Sequence, residues 1–135
     1  MTRRSTVKKS NYRRSAGDQG EALALRYLLK QGLVPVTRNF SCRLGELDLV
    51  MRDEHCLIIV EVRYRTERAI VAAGQTIDYR KQQKLIRTAA MFLAWNDEYA
   101  TLPLRFDVVG IDTDANGKTS INWIRDAFRP ADARL

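Results

Sequence analysis

The sequence predicts an α/β protein whose elements follow the order α-β-β-β-α-β-β, with a mixed five-stranded sheet flanked by helices. Two segments carry apolar residues at three- and four-residue spacing, which is the period of an amphipathic helix. Five shorter runs rich in Val, Ile, Leu and Phe are bounded by turn residues, as strands are. The second helical segment is long enough to cross over between parallel strands in the usual right-handed sense. The 135 residues suit one domain, which we expect to span residues 15–135.

A first helix is predicted over residues 16–31, with Gly32 as its natural C-terminal stop. Asp18 and Glu21 have the spacing of a capping box near its start. The apolar side of this helix comprises Ala22, Leu25, Leu28 and Leu29. Glu21 also falls on this side, so it is either a capping-box partner or a third carboxylate of a functional site.

Three strands are predicted next, at residues 33–40, 46–52 and 57–65, and the second and third form a hairpin. Pro35 has no amide hydrogen to donate, which favours an edge or early position for the first strand. The segment 66–75 lacks clear periodicity and is interpreted as a loop.

The second half of the chain begins with a helix predicted over residues 76–96. Its apolar side consists of Leu85, Ile86, Ala89, Phe92 and Leu93. Two strands are expected at residues 104–111 and 120–128, joined by the Asn-Gly turn of residues 115–118. The aromatic residues expected in the core are Phe92, Trp95, Phe106 and Trp123.

The net charge of +7 is concentrated at the N-terminus, where residues 1–14 hold six basic residues and no acid. Without these six, 17 basic residues face 16 acidic ones, so the remainder is almost neutral. We expect a disordered basic tail, which either attracts phosphate backbones without reading sequence or only aids solubility. The tail residues expected to bind nucleic acid are Arg3, Arg4, Lys8, Lys9, Arg13 and Arg14. Arg105 is either the local partner of Asp107 or a further contact to a substrate phosphate.

Several function classes are disfavoured by what the sequence lacks. No apolar run approaches the roughly 18 residues of a membrane span, and no secretory signal follows the first residues. Cys42 and Cys56 form neither a CxxC pair nor a metal-ligand spacing, which is typical of free thiols in a cytoplasmic protein. The single histidine, His55, falls at a hairpin tip, so histidine-based catalysis is not expected.

Two acids, Asp48 and Glu61, occupy the middle of the apolar strands of the predicted hairpin. A tight turn centred on residues 54–55 places Asp48 directly opposite Glu61, and Glu46 opposite Arg63. Because side chains alternate along a strand, these four project from one face of the sheet. The opposite face is filled by Leu47, Leu49, Val60 and Val62.

Carboxylates on directly opposed residues repel one another unless a cation joins them. A divalent metal, Mg²⁺ or Mn²⁺, would satisfy both because it prefers oxygen ligands, and the backbone carbonyl of Val62 offers a third oxygen. The alternative is a charged but inert sheet face, on which Asp48 and Glu61 each pair with Arg63 or a nearby lysine.

Five segments, in order, resemble the YraN-like family of bacterial proteins: "GDQGEALALRYLLKQG", "RNFSCRLGELDLVMRD", "LIIVEVRYR", "RKQQKL" and "RFDVVGI". The resemblance runs from Gly17 to Ile111. That family is similar to the restriction-endonuclease-like superfamily, the PD-(D/E)xK nucleases, whose relatives include archaeal Holliday-junction resolvases. The resemblance therefore implies a restriction-endonuclease-like core. It also implies a metal-dependent endonuclease that hydrolyses DNA phosphodiester bonds, including those of branched DNA, in repair or recombination.

The resemblance assigns catalytic roles position by position. Asp48 and Glu61 match the two metal-binding acids, and Glu21 matches the helix-borne acid of resolvase-like members, as catalytic and metal-binding residues. Lys81 matches a lysine near the start of the second helix. Arg63 falls where the catalytic lysine normally lies, and this is a departure from the family pattern.

An arginine at position 63 changes what that residue can do. Arg63 stays protonated and cannot act as a base, although its planar fork can hold a phosphate oxygen and stabilise transition-state charge. Lys81 or Lys84 can supply an ammonium from the helix instead. The alternatives to an active nuclease are a weakened or inactive nucleic-acid-binding protein and a protein-interaction domain whose acidic cluster is structural. Cutting a four-way junction symmetrically would need two sites, which a two-fold homodimer provides.

Overall fold

The computed structural model describes residues 15–65 and 77–130. The elements and their bounds are α1 (Ser15–Lys30), β1 (Val34–Cys42), β2 (Gly45–Arg52), β3 (Leu57–Arg65), α2 (Tyr79–Trp95), β4 (Leu104–Thr113) and β5 (Thr119–Phe128). A short 3₁₀-helix that the sequence pattern does not predict, Asp97–Tyr99, lies between α2 and β4. The predicted α/β layout, a mixed five-stranded sheet with two helices, is confirmed. The predicted tail, 1–14, and the predicted loop, 66–75, lie outside the described residues.

The strands lie in the sheet in chain order, β1-β2-β3-β4-β5. Strands β3 and β4 run parallel and the other three neighbouring pairs are antiparallel. Parallel neighbours need a crossover connection, and α2 is the element between them in the chain. In the β2–β3 hairpin, Leu49 pairs with Val60, which is the register predicted from a turn at residues 54–55. Asp53 closes that turn by accepting two backbone N–H groups from the residues that follow it.

Each face of the sheet carries one helix and one hydrophobic core. The α1 face buries Ala24, Leu28, Leu33, Leu49, Met51, Ile58, Val60, Val109 and Ile111. The α2 face buries Leu47, Val50, Leu57, Ile59, Ile77, Leu85, Ala89, Phe92, Phe106, Val108 and Phe128. Alternate residues of β3 belong to alternate cores, so Glu61 follows Leu57 and Ile59 onto the α2 face. Within the described ranges, neither helix is long and apolar enough to cross a bilayer.

Helix α1 begins earlier than the sequence suggests, at Ser15. Asp18 therefore lies inside the helix and Glu21 in its second turn, so the capping-box interpretation is wrong. Glu21 is nevertheless buried, at 8% exposure, as its position on the apolar side predicts. The helix ends before Gly32, as predicted. The burial of Glu21 thus needs an explanation other than capping.

Two apolar residues expected in the core are exposed: Leu29 at 44% and Trp95 at 61%. Ala24 and Leu28 are buried on α1. Leu29 follows Leu28 directly and is turned about 100° away from it around the helix axis. The buried residues of α2 recur every three or four positions, and the next position in this pattern is residue 96. Trp95 comes one residue before it and therefore does not fall on the buried side. Its ring meets Phe40 edge-on at 5.6 Å between centroids, and most of its surface faces solvent.

Strand β2 does not keep strict alternation around Asp48. Leu47 was expected on the same side as Leu49, but it packs in the core of the α2 face while Leu49 packs on the α1 face. Asn39 lies across from Asp48 on β1, between two regular pairs, and its φ of +58° is left-handed. A left-handed residue interrupts the extended geometry on which alternation depends. The prediction for Leu47 is wrong, because β2 departs from regular alternation between Leu47 and Leu49.

Candidate active site

Asp48 and Glu61 lie together on the α2 face, at the point where β2 and β3 separate. Regular pairing between these strands is found as far as Leu49 and Val60. Beyond it, the Asp48 carboxylate takes the place of a backbone partner, and its Oδ2 accepts the backbone N–H of Val62 at 2.8 Å. The structure therefore brings the two predicted acids together and anchors one of them on the backbone of the neighbouring strand.

The two carboxyl groups share a poorly solvated space. Burial, together with the nearby Asp48 charge, raises the pKa of Glu61 to about 7. Burial also raises the pKa of Asp48, although the Val62 N–H and the Glu61 carboxyl donate hydrogen bonds that favour its charged form. The pair thus resists carrying two full negative charges at neutral pH, because burial reduces the hydration of both groups and few donors reach them.

Two cations flank the Glu61 carboxylate. Lys81 Nζ lies 3.5 Å from Glu61 Oε2, and Arg63 Nη1 lies 3.8 Å from the same oxygen. Lys81 comes from the first turn of α2, where the Asp78 side chain accepts its backbone N–H at 2.8 Å and caps the helix. Arg63 and Lys81 therefore both reach the acids, the arginine from β3 and the lysine from the helix.

An open cleft of about 330 Å³ lies beside Asp48, between the β1–β2 turn and α2. Its lining comprises Ser41, Cys42, Arg43, Gly45, Glu46, Asp48, Lys81, Lys84 and Leu85. Of its three cations, Lys81 is paired with Glu61, whereas Arg43 and Lys84 have no ion-pair partner among residues 15–65 and 77–130. One solvent-accessible space therefore presents both a carboxylate and cations that remain available to an anion.

Gly45 lets α2 approach the cleft closely. Its φ is +154°, and a Cβ there would lie 2.7 Å from Thr88 Oγ1, which is shorter than any ordinary contact. The same Cβ would lie 3.3 Å from Lys84 Cε, so the lysine stem passes directly over the glycine. A side chain at this position would push α2, and the lysines it carries, away from the acids.

Glu21 is held by β1. Arg38 Nη2 lies 3.9 Å from its Oε1, and the Asn39 amide, in the orientation that satisfies its own hydrogen bonds, donates to both carboxylate oxygens at 2.8 and 3.2 Å. In the part of the chain that the structure describes, no three Asp, Glu, His or Cys side chains form a metal-binding group. Glu21 is therefore not joined to Asp48 and Glu61 as a third ligand, and its assisting role stays a prediction.

The oxygens at the pair fit a hard divalent cation. The N–H and C=O of one strand residue point to the same side, so the Val62 carbonyl is directed toward β2, as its N–H is. Two carboxylates and a carbonyl are ligands that Mg²⁺ and Mn²⁺ accept, with water completing the shell. Such a cation would also compensate the Asp48 charge, which together with burial raises the pKa of Glu61.

Arg105 lies on the other face of the sheet. It pairs in register with Ile58, whose side chain belongs to the α1 core. Its Nε and Nη2 each donate to Asp107 at 2.9 Å, and its Nη1 lies 3.7 Å from Asp53. Of the two expectations for Arg105, the local ion pair is present, and the phosphate contact stays a prediction. The six tail residues expected to bind nucleic acid lie within residues 1–14, outside the described ranges.

Three residues around the site are not predicted from the sequence: Asn39, Arg43 and Gly45. A signal for Gly45 exists, since a glycine directly before an acid-bearing strand often marks close backbone approach. Asn39 carries a weaker signal, because asparagine tolerates left-handed backbone better than most residues. Arg43 becomes visible only when the β1–β2 turn is seen to face α2 across the cleft.

The chain has relatives across most of its length. The family model described as "Uncharacterised protein family UPF0102" matches residues 20–111. A UPF0102 protein of Stutzerimonas stutzeri (strain A1501) is 50% identical over 114 residues, which cover 84% of this chain and 94% of the relative. Another, from Pseudomonas savastanoi pv. phaseolicola (strain 1448A / Race 6), is 42% identical over 116 residues, covering 86% of this chain and 94% of the relative. Among solved structures, Pyrococcus furiosus SfsA in complex with Ca²⁺ is similar with a TM-score of 0.39 and 14% identity, and the match covers 83% of this chain and 63% of that one.

Proposed function

This chain belongs to the UPF0102 family, and we propose that it is a metal-dependent hydrolase that cleaves phosphodiester bonds of DNA. The observation that carries the proposal is the close pair of half-buried Asp48 and buried Glu61, flanked by Lys81 and Arg63 and open to a cleft. Burying two carboxylates side by side costs stability unless a cation joins them. A role in ligand binding explains why the fold retains this destabilising pair.

In this function, Asp48, Glu61 and the Val62 carbonyl hold Mg²⁺ or Mn²⁺. When bound, the ion supplies a water of lowered pKa and Lewis acidity toward phosphate oxygens. The Val62 N–H fixes the orientation of the Asp48 carboxylate at 2.8 Å. Glu21 assists from α1 by holding Asn39, the residue across from Asp48 on β1.

Lys81 and Arg63 stabilise the negative charge that develops on the phosphate. Arg63 remains protonated and serves as an electrostatic clamp, not as a proton acceptor. Lys81 reaches the same carboxylate from α2, so an ammonium is present beside Glu61 although β3 carries an arginine at position 63. The swap at position 63 therefore leaves one lysine in the site.

The charge distribution supports DNA as the substrate class. Arg43 and Lys84 line the cleft beside Asp48, and the chain as a whole carries a net charge of +7. Cations that neutralise phosphates give affinity for nucleic acid without reading sequence. A role in repair or recombination, and a two-fold dimer that would pair two sites for symmetrical cutting, are further parts of the proposal, and sedimentation measures the dimer directly.

The experiment that tests the proposal compares wild type with Asp48→Asn. Calorimetry with Mn²⁺ should give a saturable binding heat for wild type and none for the variant. Cleavage of branched, single-stranded and duplex DNA should require Mn²⁺ or Mg²⁺ and be lost in the variant. Glu54→Gln is the matched control, because it removes an exposed acid at the tip of the same hairpin and should leave both signals intact.

A wild-type protein that neither binds Mn²⁺ nor cleaves any of the three DNA forms would end the hydrolase proposal. Metal binding that depends on Asp48, without cleavage, would instead support a second candidate: a nucleic-acid-binding protein that has kept the site and lost the reaction. Arg63 is the observation that favours this candidate. Arg63→Lys should then raise cleavage from zero. Where wild type does cleave DNA, a fall in Arg63→Lys would show that the arginine is the adapted residue.

A further inference from the structure

Helix α2 has an unbalanced charge that α1 does not share. The segment Tyr79–Trp95 contains four basic residues and no acid, whereas α1 contains two of each. Among the four, Lys81 is the one within ion-pair distance of an acid in the described ranges. The others, Arg80, Lys84 and Arg87, are exposed, so their positive field extends into solvent.

These three exposed cations share one side of the helix, because they are four and three residues apart. Two further four-residue steps along the same side lead through Met91 to Trp95. The stretch from Arg80 to Trp95 measures about 22 Å along the helix axis at 1.5 Å per residue. Lys84 belongs both to this side and to the lining of the cleft, so the surface is continuous with the candidate active site.

Trp95 ends this side of the helix as an exposed ring. It is 61% exposed, and the edge contact with Phe40 fixes its orientation while leaving most of the ring in water. The exposed face of the ring is a flat apolar surface on which a base can stack. A row of cations that ends in an aromatic ring is the combination that binds single strands, with cations on phosphates and the ring on a base.

We propose that this side of α2 binds a single-stranded segment of nucleic acid, with its phosphates on Arg80, Lys84 and Arg87 and an unpaired base stacked on Trp95. We call these four residues the α2 track. A duplex keeps its bases stacked inside, so it meets the cations of the track and not the ring. The proposal deepens the proposed function and rests on it in one respect: the strand on the track is the one that enters the site beside Lys84.

The cations of the track are tested by salt dependence. Binding of a labelled single-stranded oligonucleotide to the full chain is measured in EDTA, so that cleavage does not interfere, between about 50 and 200 mM salt. For Lys84→Gln/Arg87→Gln, the slope of log K against log salt should fall by about 1.4, because each lost phosphate contact removes about 0.7. Arg26→Gln/Lys30→Gln is the matched control, since it removes two exposed charges four residues apart on α1, and its slope should equal that of wild type.

The ring of the track is tested by a neutral substitution. Trp95→Leu should weaken single-strand binding roughly five- to a hundredfold without changing the salt slope, because stacking is lost and no charge is removed. Trp95→Phe should keep most of the affinity. Blunt duplex DNA should bind Trp95→Leu as well as wild type. The tryptophan fluorescence of wild type should be quenched by the single strand, and this quenching should disappear in Trp95→Leu, which retains Trp123.

Three results would overturn the track. The first is an unchanged salt slope for Lys84→Gln/Arg87→Gln, and the second is an equal loss of single-strand and duplex binding for Trp95→Leu. The third is sedimentation showing that Trp95→Leu converts a dimer to a monomer, which would make the ring a subunit contact. Failure of the proposed function is distinguishable: a wild type that never cleaves DNA, but shows the expected binding changes, loses the hydrolase role and keeps a single-strand surface.

Discussion

Buried acids occur on both faces of the sheet, and they differ in how completely hydrogen-bond donors and cations compensate their charge. On the α1 face, the Asp107 side chain is completely buried. It accepts two hydrogen bonds from Arg105, one from the Trp123 indole and one from the backbone N–H of Asp126, each at 2.9 Å. Four donors saturate this carboxylate, and two of them belong to the guanidinium that carries the compensating charge.

On the α2 face, the carboxylate charges of Asp48 and Glu61 are compensated less completely. Asp48 accepts one backbone N–H, and the cations nearest to Glu61 remain at 3.5 and 3.8 Å, beyond the length of a good charge-assisted hydrogen bond. The pKa of Glu61 rises to about 7 as a result of burial and of the Asp48 charge. Burial alone therefore does not mark a functional acid. An acid saturated by donors holds the fold together, whereas acids that face each other beside a cleft have room for a ligand.

The largest expected effect on stability concerns Asp107, whose carboxylate is saturated by donors. Asp107→Asn should lower the free energy of unfolding by about 3–5 kcal/mol, because Arg105 loses its buried counter-charge and an amide NH₂ faces other donors. Urea unfolding at pH 7 measures this loss. The same isosteric change at Asp48 should cost less than about 1 kcal/mol or stabilise the protein, since it relieves repulsion. Equal losses at the two positions would remove the distinction between the two acidic sites.

The second effect concerns the pH dependence of the opposed pair. In the unfolded chain Glu61 titrates near 4.5, and in the folded protein near 7. The folded state therefore binds the extra proton between these values, so stability falls as the pH rises from about 4.5 to 7 and stays low above it. Glu61→Gln has no such titration. In EDTA, its unfolding free energy should exceed that of wild type by about 2–3 kcal/mol more at pH 8 than at pH 4.

Urea unfolding at the two pH values measures this difference, and Glu54→Gln provides the control. Glu54 lies at the exposed tip of the same hairpin, with its side chain 92% exposed. Its substitution should shift stability by the same small amount at both pH values. A Glu61→Gln gap that does not change with pH would mean that Glu61 titrates in the folded protein as it does in the unfolded chain, and that the nearby cations offset the effect of its burial.

The hairpin and its register were predictable because the information is local. Two apolar runs joined by a short polar turn admit few pairings, and the turn at residues 54–55 fixes the rest. The pairing of Leu49 with Val60 follows directly. The ion pair of Arg105 with Asp107 was also among the expectations, since residues two apart on a strand share a face. What these predictions have in common is that each depends on residues within one or two neighbouring strands.

The remaining features depend on contacts between distant segments. The Asp107 site needs Trp123 and Asp126 from β5, where a register shift accommodates the left-handed Asp126. Leu47 packs in the core of the α2 face, together with residues of α2 and β4. The exposure of Trp95 depends on where α2 ends relative to the sheet. None of these contacts leaves a periodic trace in the sequence, so pattern reasoning assigns such residues to their default positions.

The smallest effect on stability, and the sharpest contrast between the two faces, comes from removing one cation from each. Lys81 is 41% exposed and lies 3.5 Å from Glu61, so Lys81→Met should cost less than about 1 kcal/mol in urea unfolding. Arg105 is bonded to the buried Asp107 through two nitrogens, so Arg105→Met should cost about 3 kcal/mol or more.

Cleavage should respond in the opposite order. Lys81→Met should reduce the Mn²⁺-dependent rate by about 10²–10³-fold, the scale of losing one transition-state donor, while Arg105→Met, assayed at a temperature where it remains folded, should retain the rate. If Lys81→Met instead destabilises the protein as much as Arg105→Met and leaves cleavage unchanged, the acids on the α2 face are structural like Asp107, and their proximity needs no ligand to explain it.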